Sequence, residues 1–290
     1  MLYESIIRRI PIEKGWSGDK KYRIECTDGN AYLLRVSPPE KYERRKTEFQ
    51  RTCQVAALGV SVNRPLEFSL QEEGVCTILS WVDGYDAEEH IPTLPREEQY
   101  RLGLDAGRIL QKMHTIPAPS DAEDWEARFN KKIDRKLAMY DDCPLKYEGG
   151  EAFLNHIAEN RHLLENRPQS YQHGDYHIGN MMVTKDGVLT VIDFEKDDHG
   201  DPWEEFNRIV WSAQASPRFA AGMVDGYFGG DVPMEFWRLL ALYICSNSLG
   251  SLPWAISFGE REIQVMRNQA AQVLQWYDNM TNPVPAWYRE

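Results

Sequence analysis

A short stretch of the chain, residues 173–195, combines residue types that could carry out phosphoryl transfer. Asp175 lies in a His-Gly-Asp turn, Asn180 closes this turn, and Asp193 follows an apolar run at residues 188–192. Phosphoryl transfer requires a carboxylate that acts as a base and, near it, oxygen ligands that bind a metal ion. Short loops between strands are suited to hold such side chains in place. The stretch therefore predicts a catalytic site formed by Asp175, Asn180 and Asp193.

The composition is that of a globular protein. The 290 residues include 42% hydrophobic and 27% charged residues, enough for one large domain or two lobes with a sizeable core. The most apolar stretch, residues 239–258, is interrupted by Ser246, Gly250 and Pro253, which favours a buried helix over a membrane span. Five cysteines without metal-ligand spacing favour the reducing cytoplasm. We expect a cytoplasmic monomer without a membrane partner.

The net charge of −12 is distributed unevenly along the chain. Residues 1–85 contain 13 Lys and Arg against 12 Asp and Glu, whereas the remaining 205 residues contain 20 against 33. The second part therefore carries all of the acidity. This imbalance disfavours nucleic acid and anionic membranes as partners and favours a cationic ligand, while a solubilising surface explains the charge equally well.

The first 80 residues predict a small antiparallel sheet. The turn Thr27-Asp28-Gly29-Asn30 between two alternating segments is a strong hairpin signal. Strands are expected at residues 22–26, 31–36, 64–70 and 74–81.

One long helix is predicted between these strands, from about residue 40 to residue 58. Its apolar face is expected to comprise Phe49, Cys53, Ala56 and Ala57. Gly59 stands where a helix typically ends.

From Arg96 onward the pattern is mainly helical. Residues 100–114 are strongly amphipathic, and their apolar stripe comprises Leu102, Ala106, Ile109, Leu110 and Met113. Three or four further helices are expected between the acidic loop 196–202 and about residue 280. The predicted domains are a nucleotide-binding lobe at residues 1–80, a hinge at residues 81–86, and a catalytic and substrate-binding lobe at residues 87–290.

Over nearly its full length, the chain resembles the aminoglycoside phosphotransferase and choline-kinase-like group of small-molecule kinases. His173-Gly-Asp-x4-Asn180 resembles the catalytic loop of this group, and Ile192-Asp-Phe-Glu195 resembles its metal-binding segment. Gly200-Asp-Pro202 also resembles the segment that usually follows in this group. The resemblance implies an α+β, two-lobed, protein-kinase-like fold, with a small N-terminal antiparallel sheet lobe that has one long helix and a larger, mainly helical C-terminal lobe.

The resemblance also implies roles for individual residues. Asp175 would orient the acceptor hydroxyl or accept its proton, with Mg²⁺ held by Asn180 and Asp193 and a further contact from Glu195. ATP or GTP would be the co-substrate. The residues expected to bind this nucleotide are Ser17, Gly18, Arg35, Glu48, Leu79, Ser80, Trp81 and Val82.

Arg35 departs from the pattern of the family, which usually has a phosphate-binding lysine at this strand position. Arginine keeps the charge, but its planar guanidinium differs from the point charge of a lysine. We expect Arg35 to pair with Glu48 on the following helix, or with Glu43 if the helix is rotated. The substitution leaves the choice between ATP and GTP open.

The acceptor is expected to be a cationic hydroxylated small molecule, with aminoglycosides first. This expectation comes from the acidic second part and from the carboxylates that follow the metal segment, which are Asp197, Asp198, Asp201, Glu204 and Glu205. The same carboxylates would serve equally well as helix caps or solvated groups. Choline, homoserine, a macrolide or a sugar would suit the same catalytic residues.

Two functions of other classes remain open at this point. His173, His177 and Asp193 could be the zinc ligands of a hydrolase, although this hypothesis leaves Asn180 unexplained. A catalytically silent protein that binds nucleotides or small molecules is kept open by Arg35.

Overall fold

The computed structural model describes residues 1–13 and 18–289 and divides the chain into two compact units. The first unit comprises residues 1–87 and 180–196, and the second comprises residues 88–179 and 197–290. The strands of the described residues are β1 (Ile6–Pro11), β2 (Lys20–Cys26), β3 (Ala31–Ser37), β4 (Pro65–Gln71), β5 (Gly74–Ser80), β6 (Gly84–Asp86), β7 (Ser170–Gln172), β8 (Met181–Thr184), β9 (Leu189–Val191) and β10 (Asp198–Gly200). The α-helices are α1 (Tyr42–Ala57), α2 (Ala87–His90), α3 (Arg96–Met113), α4 (Trp125–Asp141), α5 (Glu151–Asn160), α6 (Ile209–Ala215), α7 (Pro217–Phe228), α8 (Met234–Ile256) and α9 (Glu260–Trp276).

The first unit is built on a five-stranded antiparallel sheet in the order β1-β2-β3-β5-β4. The predicted hairpin connects β2 and β3, where Gly29 has a φ of 81° and the carboxylate of Asp28 accepts a hydrogen bond from Asn30 N at 2.9 Å. The apolar core of this sheet comprises Ile24, Cys26, Leu34, Val36, Cys76 and Ile78. Alternation of apolar and polar residues along the strands places these side chains on one face.

Helix α1 is rotated relative to the sequence prediction. Its buried side chains are Arg45, Glu48, Thr52 and Val55. Cys53 and Ala57, predicted to be core residues, are exposed. The prediction is right for Phe49, which packs against Phe68 of β4 with ring centroids 5.6 Å apart, but wrong for Cys53 and Ala57, because the buried ion pair of Arg45 and Glu48 occupies the side that faces inward.

Residues 180–196 group with the first unit, although the sequence assigned them to the C-terminal lobe. They form β8 and β9, which add to β6 in a three-stranded sheet of order β6-β8-β9. Ser61 Oγ and Thr190 Oγ1 lie 2.8 Å apart and bond this sheet to the segment after α1. Strand β6 lies within the residues that the sequence predicted as a hinge.

The second unit is mainly helical, as predicted. The apolar stripe of α3 is buried as expected, together with Gly103 and Gly107. Helix α8 is long and apolar enough to span a membrane by length and composition, but 67% of its most apolar window is buried inside the protein. It packs against α4, α5 and α9, which makes it the central core helix of this unit.

Helices α3 and α7 approach each other through glycines. A Cβ atom at Gly107 would lie 2.2 Å from Met223 O, and one at Gly103 would lie 2.2 Å from Phe219 O. Gly226 on α7 is equally tight, since its Cβ would lie 2.2 Å from Leu104 O. Each of these distances is far below van der Waals contact, so the two backbones touch only because side chains are missing.

Replacing Gly107 by alanine is expected to destabilise the protein by about 1–3 kcal/mol, because the added methyl group forces two packed backbones apart. Gly250→Ala is the matched control. It is also a helical glycine, but its Cβ would meet only the flexible side chain of Lys136, at 3.2 Å. The control should be neutral or stabilising, since alanine has the higher helix propensity. Urea denaturation of both variants measures the difference, and equal stabilities would contradict the packing argument.

Candidate active site

The hairpin of β8 and β9 brings Asn180 and Asp193 to the same end of a small sheet. Asn180 directly precedes β8, Asp193 follows β9 by two residues, and Asn180 O accepts a hydrogen bond from Ile192 N at 3.0 Å. Asp193 has a φ of 68°, in the left-handed region. Non-glycine residues rarely adopt this conformation, and functional sites are enriched in such strained backbone. An amide and a carboxylate are therefore held on neighbouring backbone.

Two cationic side chains of the sheet lie against the carboxylates that follow β9. Arg35 Nη2 is 2.7 Å from Glu195 Oε1 and 3.5 Å from Asp193 Oδ1. Lys21 Nζ is 3.7 Å from the same oxygen of Glu195 and 3.8 Å from Asp193 Oδ2. The side chains of Lys21, Arg35 and Glu195 are 13%, 10% and 14% exposed. Solvent therefore screens these charges much less than it screens a surface pair.

The cluster contains polar atoms without a hydrogen bond from the protein. Glu195 Oε1 and Arg35 Nε are both buried and have no hydrogen-bond partner among the residues that the structure describes. The close contact of Glu195 Oε1 with Arg35 is an ion pair without hydrogen-bond geometry. Buried polar atoms are nearly always hydrogen-bonded, so two exceptions in one cluster indicate a ligand site.

The donor set of this cluster fits Mg²⁺ bound together with a nucleotide. Asn180, Asp193 and Glu195 offer hard oxygen donors, and Mg²⁺ usually binds one or two protein carboxylates and the phosphates of a substrate. No group of three or more His, Cys, Asp or Glu residues that could hold a metal occurs within residues 1–13 and 18–289. Two carboxylates and one amide would leave further coordination positions to phosphate oxygens and water.

The partner predicted for Arg35 is wrong. Glu48 pairs with Arg45 on its buried side and with Arg44 Nε at 2.9 Å, whereas Arg35 pairs with Glu195 and Asp193. Because Arg45 is one helical turn from Glu48 and only 4% exposed, it reaches this carboxylate first.

Arg45 links α1 to the start of β2 and to the metal segment. Its guanidinium also bonds to Asp19 and to Ser37 Oγ, and it lies 3.6 Å from Glu195 Oε2. Burial opposes ionisation of Asp19, but hydrogen bonds from Lys41 and Ser37 and the charge of Arg45 outweigh it and lower its pKa. Arg45 thus adds a cationic contact to Glu195 beside those of Lys21 and Arg35.

The remaining residues predicted to bind nucleotide lie on two segments. Ser17 lies outside the described residues, and Gly18 is exposed, in a space where an added methyl group would meet no atom within 4 Å. Leu79 and Ser80 end β5, and Ser80 is bonded to the backbone of Arg64 through its N–H and its hydroxyl, each at 2.8 Å. The predicted segment continues beyond the strand as Trp81 and Val82, both partly buried.

Asp175 lies in a loop of the second unit that a buried carboxylate anchors. The backbone N–H groups of His173 and Gly174 both donate to Glu205, the latter at 3.0 Å. Arg208 Nε lies 3.4 Å from Asp175 Oδ1, and His177 Nε2 lies 3.8 Å from the same oxygen. The side chain of Asp175 is 15% exposed. Asp175 is therefore a partly buried carboxylate beside a guanidinium.

Three of the five carboxylates predicted to bind the acceptor are interior groups instead. Asp201 is completely buried, accepts two hydrogen bonds from Arg167, and bonds to Tyr243 Oη at 2.6 Å. Glu204 is bonded to Lys132 Nζ at 2.9 Å, and Glu205 holds the loop of Asp175. Because the protein itself uses these oxygens, the prediction that they bind amines of the acceptor is wrong.

One of the other two predicted acceptor carboxylates, Asp198, lines a pocket that contains several basic side chains. Asp197 is partly buried and Asp198 is exposed, and Asp198 lies 3.4 Å from Arg128 Nη1. A pocket of about 470 Å³ lies along α4 in the second unit. It is lined by Trp125, Arg128, Phe129, Lys131, Lys132, Arg135, Gln172 and Asp198. Its lining is rich in basic side chains, in contrast to the acidic surface expected from the sequence, although Arg128 pairs with Asp198, Lys131 with Glu123 and Lys132 with Glu204.

A model of the phosphotransferase enzyme family matches residues 8–238. The chain belongs to this family. No curated protein matches the sequence significantly. Family membership decides between the functional classes left open above: the protein is a small-molecule phosphotransferase, and the zinc hydrolase is wrong.

Solved structures confirm the α+β, protein-kinase-like fold of this phosphotransferase. A choline/ethanolamine kinase family protein from Mesorhizobium loti is similar with a TM-score of 0.67 and 17% identity, over 97% of this chain and 92% of that chain. An aminoglycoside phosphotransferase from Alicyclobacillus acidocaldarius has a TM-score of 0.66 and 13% identity, over 96% and 91%. A thermostable mutant of the aminoglycoside phosphotransferase APH(4)-Ia, in a ternary complex with ADP and hygromycin B, has a TM-score of 0.66 and 15% identity, over 94% and 95%.

The anchoring carboxylate of the phosphotransferase gives its stability a pH dependence. Burial raises the pKa of Glu205 to about 8, with the charge of Glu204 adding to the shift and the N–H groups of His173 and Gly174 opposing it. The unfolded chain releases this proton near pH 4.5, so the folded state binds one more proton between pH 4.5 and 8. The contribution of this proton to the free energy of unfolding is fully present below pH 4.5 and is lost as the pH rises to 8.

We expect the wild-type protein to lose roughly 2–4 kcal/mol relative to Glu205→Gln between pH 5 and pH 8. Glutamine keeps an acceptor oxygen for the two N–H groups but does not titrate. Urea denaturation at both pH values gives the two free energies of unfolding. Parallel pH profiles of the two proteins would show that Glu205 does not titrate in this range.

In each unit, some residues beside the predicted site residues do not follow from the sequence pattern. Lys21, Arg45 and Arg208 were not predicted, and Glu205 was given the wrong role. Arg45 lies in a charged run of α1 that a helical pattern assigns to the surface. The position of Lys21 could have been predicted from the β2–β3 hairpin, because the register of this hairpin places Lys21 directly opposite Arg35.

Proposed function

We propose that this phosphotransferase transfers the γ-phosphate of ATP or GTP to a hydroxyl group of a small molecule in a Mg²⁺-dependent reaction. The environment of Asp175 carries the proposal. A carboxylate beside Arg208, on a loop whose N–H groups are bonded to a buried glutamate, is held in place to orient a hydroxyl group. Its low exposure limits competition from water.

Each residue has one task in this proposal. Asp175 orients the acceptor hydroxyl and accepts its proton as the oxygen attacks the γ-phosphorus. Asn180 and Asp193 hold Mg²⁺, with Glu195 as a further oxygen ligand. Mg²⁺ held by these residues would supply positive charge against the phosphates during transfer. The backbone of Trp81 and Val82 offers hydrogen bonds to the purine, while Gly18 and its neighbours cover the phosphates.

An aminoglycoside is the first candidate for the acceptor. This candidate is supported by the solved structures of similar fold that are aminoglycoside phosphotransferases, and by the exposed carboxylate Asp198. An amine of the acceptor would bind this carboxylate.

The basic pocket on α4 favours a second candidate, a hydroxylated acceptor that carries a carboxylate, such as homoserine. Arg135, together with Arg128 and Lys132, which also pair with Asp198 and Glu204, would attract a carboxylate and disfavour the several ammonium groups of an aminoglycoside. Gln172, which lines the pocket, directly precedes His173 of the catalytic loop. A small molecule bound here would therefore lie within the same unit as Asp175.

Release of ADP or GDP from Mg²⁺-ATP or Mg²⁺-GTP, measured against a panel of acceptors, tests the proposal. The panel contains kanamycin, choline, erythromycin, glucose, homoserine and the methyl ester of homoserine. At least one acceptor is expected to raise turnover above that of Asp175→Asn. Preference for homoserine over its ester would identify the carboxylate-bearing class, and preference for kanamycin would identify the aminoglycoside class. No acceptor-dependent turnover with any member would contradict the assigned reaction.

A further inference from the structure

The register of the sheet gives Arg35 a cationic neighbour on the adjacent strand. Lys21 on β2 pairs directly with Arg35 on β3, so both side chains leave the same face of the sheet at the same level. Both reach the carboxylates of Asp193 and Glu195. Two like charges at directly opposed positions repel each other, and such an arrangement persists when anions lie between them.

The two cations are held differently. Arg35 Nη2 makes a close contact of 2.7 Å with Glu195, so part of its guanidinium is already engaged. Lys21 Nζ lies 3.7 Å and 3.8 Å from its carboxylate neighbours, which is longer than a hydrogen bond. Its three donors therefore remain available, although the side chain is only 13% exposed.

We propose that Lys21 is the phosphate-binding lysine of this protein, and that it supplies from β2 the ammonium group that β3 lacks. This inference rests on the proposed kinase function. Lys21 binds the β- and γ-phosphate oxygens as a compact point charge, while Arg35 mainly holds Glu195 and Asp193 in position. A cation shared between the metal-binding carboxylates and the phosphates lowers the repulsion between these anions.

A purely structural role is the alternative. In that case Lys21 only balances the charges of Asp193 and Glu195, and its removal would change stability without a specific effect on phosphates. Contacts of 3.7–3.8 Å at an ion pair contribute little to stability by themselves. The two roles differ in whether removal of Lys21 weakens ligand binding only when the ligand carries phosphates.

Binding of Mg²⁺-ATP and of adenosine, measured by titration calorimetry, separates the two roles. Lys21→Ala is expected to weaken ATP binding by about 10- to 100-fold and to leave adenosine binding unchanged. Lys20→Ala is the matched control, because Lys20 is exposed and its side chain leaves the opposite face of β2. Thermal melting of both variants reports whether the fold is retained. Lys21→Gln serves as a second variant if the alanine protein is unstable.

A relocation variant makes the test specific. In the Lys21→Ala background, Arg35→Lys returns an ammonium group to β3 and is expected to recover part of the lost ATP affinity. Equal ATP affinity of Lys21→Ala and Lys20→Ala, or an equal loss for ATP and adenosine, would overturn the role of Lys21 while leaving the kinase function intact. Absence of ATP and GTP binding by the wild-type protein would overturn both.

Discussion

Asp175→Asn is expected to lower the turnover number about 10²- to 10⁴-fold, the usual contribution of a positioned general base. Asparagine has the shape of aspartate but cannot accept the proton of the acceptor hydroxyl. The loop should keep its conformation, because its N–H groups are held by Glu205 and not by the side chain of Asp175. The affinity for Mg²⁺-nucleotide should remain within about twofold of the wild-type value, since the lost function concerns the acceptor.

Steady-state kinetics with the best acceptor of the panel measures this effect, and nucleotide titration measures the binding. Asp121→Asn is a suitable control, because Asp121 is an exposed aspartate of the same unit. A turnover number within tenfold of the wild-type value would show that Asp175 is not the base. A matching loss of nucleotide affinity would instead assign Asp175 to nucleotide binding.

Asp193→Asn is expected to reduce transfer on the order of 10³-fold or more, because a bound metal ion contributes several kcal/mol of charge stabilisation in the transition state. Unlike Asp175→Asn, this variant should also require a much higher Mg²⁺ concentration for half-maximal activity. Asparagine is the informative replacement, since Asp193 has a φ of 68° and asparagine tolerates this region better than alanine. The effect then reflects charge and not backbone strain.

The exposed Asp186, in the turn at the other end of the same hairpin, provides the matched control Asp186→Asn. Its dependence on Mg²⁺ should equal that of the wild-type protein. An unchanged Mg²⁺ requirement in Asp193→Asn would remove Asp193 from the metal site. It would leave Asn180 and Glu195 as the remaining oxygen ligands to test.

The sequence predicted the parts of the molecule that depend on local pattern. The β2–β3 hairpin follows from Asp28 and Gly29, and the apolar stripe of α3 follows from helical periodicity. The hairpin between Asn180 and Asp193 likewise fixes these residues at one end of β8 and β9 through local backbone pairing. Such features are determined within a few residues of the chain.

The parts that were predicted wrongly depend on contacts between distant residues. Glu205 was interpreted as a surface carboxylate, yet it accepts hydrogen bonds from a loop about 30 residues earlier in the chain. Arg45 was placed on the solvated side of α1, yet it binds Asp19 and approaches Glu195. The sequence pattern around a charged residue is the same whether the charge is solvated or paired with a buried counter-ion. Periodicity alone therefore assigns the residue to the surface.

The same reasoning explains why a second candidate acceptor arises from the structure. The acidic second part contributes carboxylates to the interior at Asp201, Glu204 and Glu205, while the pocket on α4 is lined by cations. Net charge over a long segment therefore does not report the charge of a particular surface. The choice between a cationic and an anionic acceptor depends on the pocket and not on the composition.

Mass spectrometry of the acceptor after reaction with ATP labelled with ¹⁸O on the γ-phosphate tests the central claim most directly. The wild-type protein is expected to transfer the labelled phosphoryl group to one hydroxyl of the acceptor, and Asp175→Asn should do so at least about 100-fold more slowly. Label that appears only in inorganic phosphate, or on the acceptor at the same rate with both proteins, would contradict Asp175-dependent transfer to a small-molecule hydroxyl.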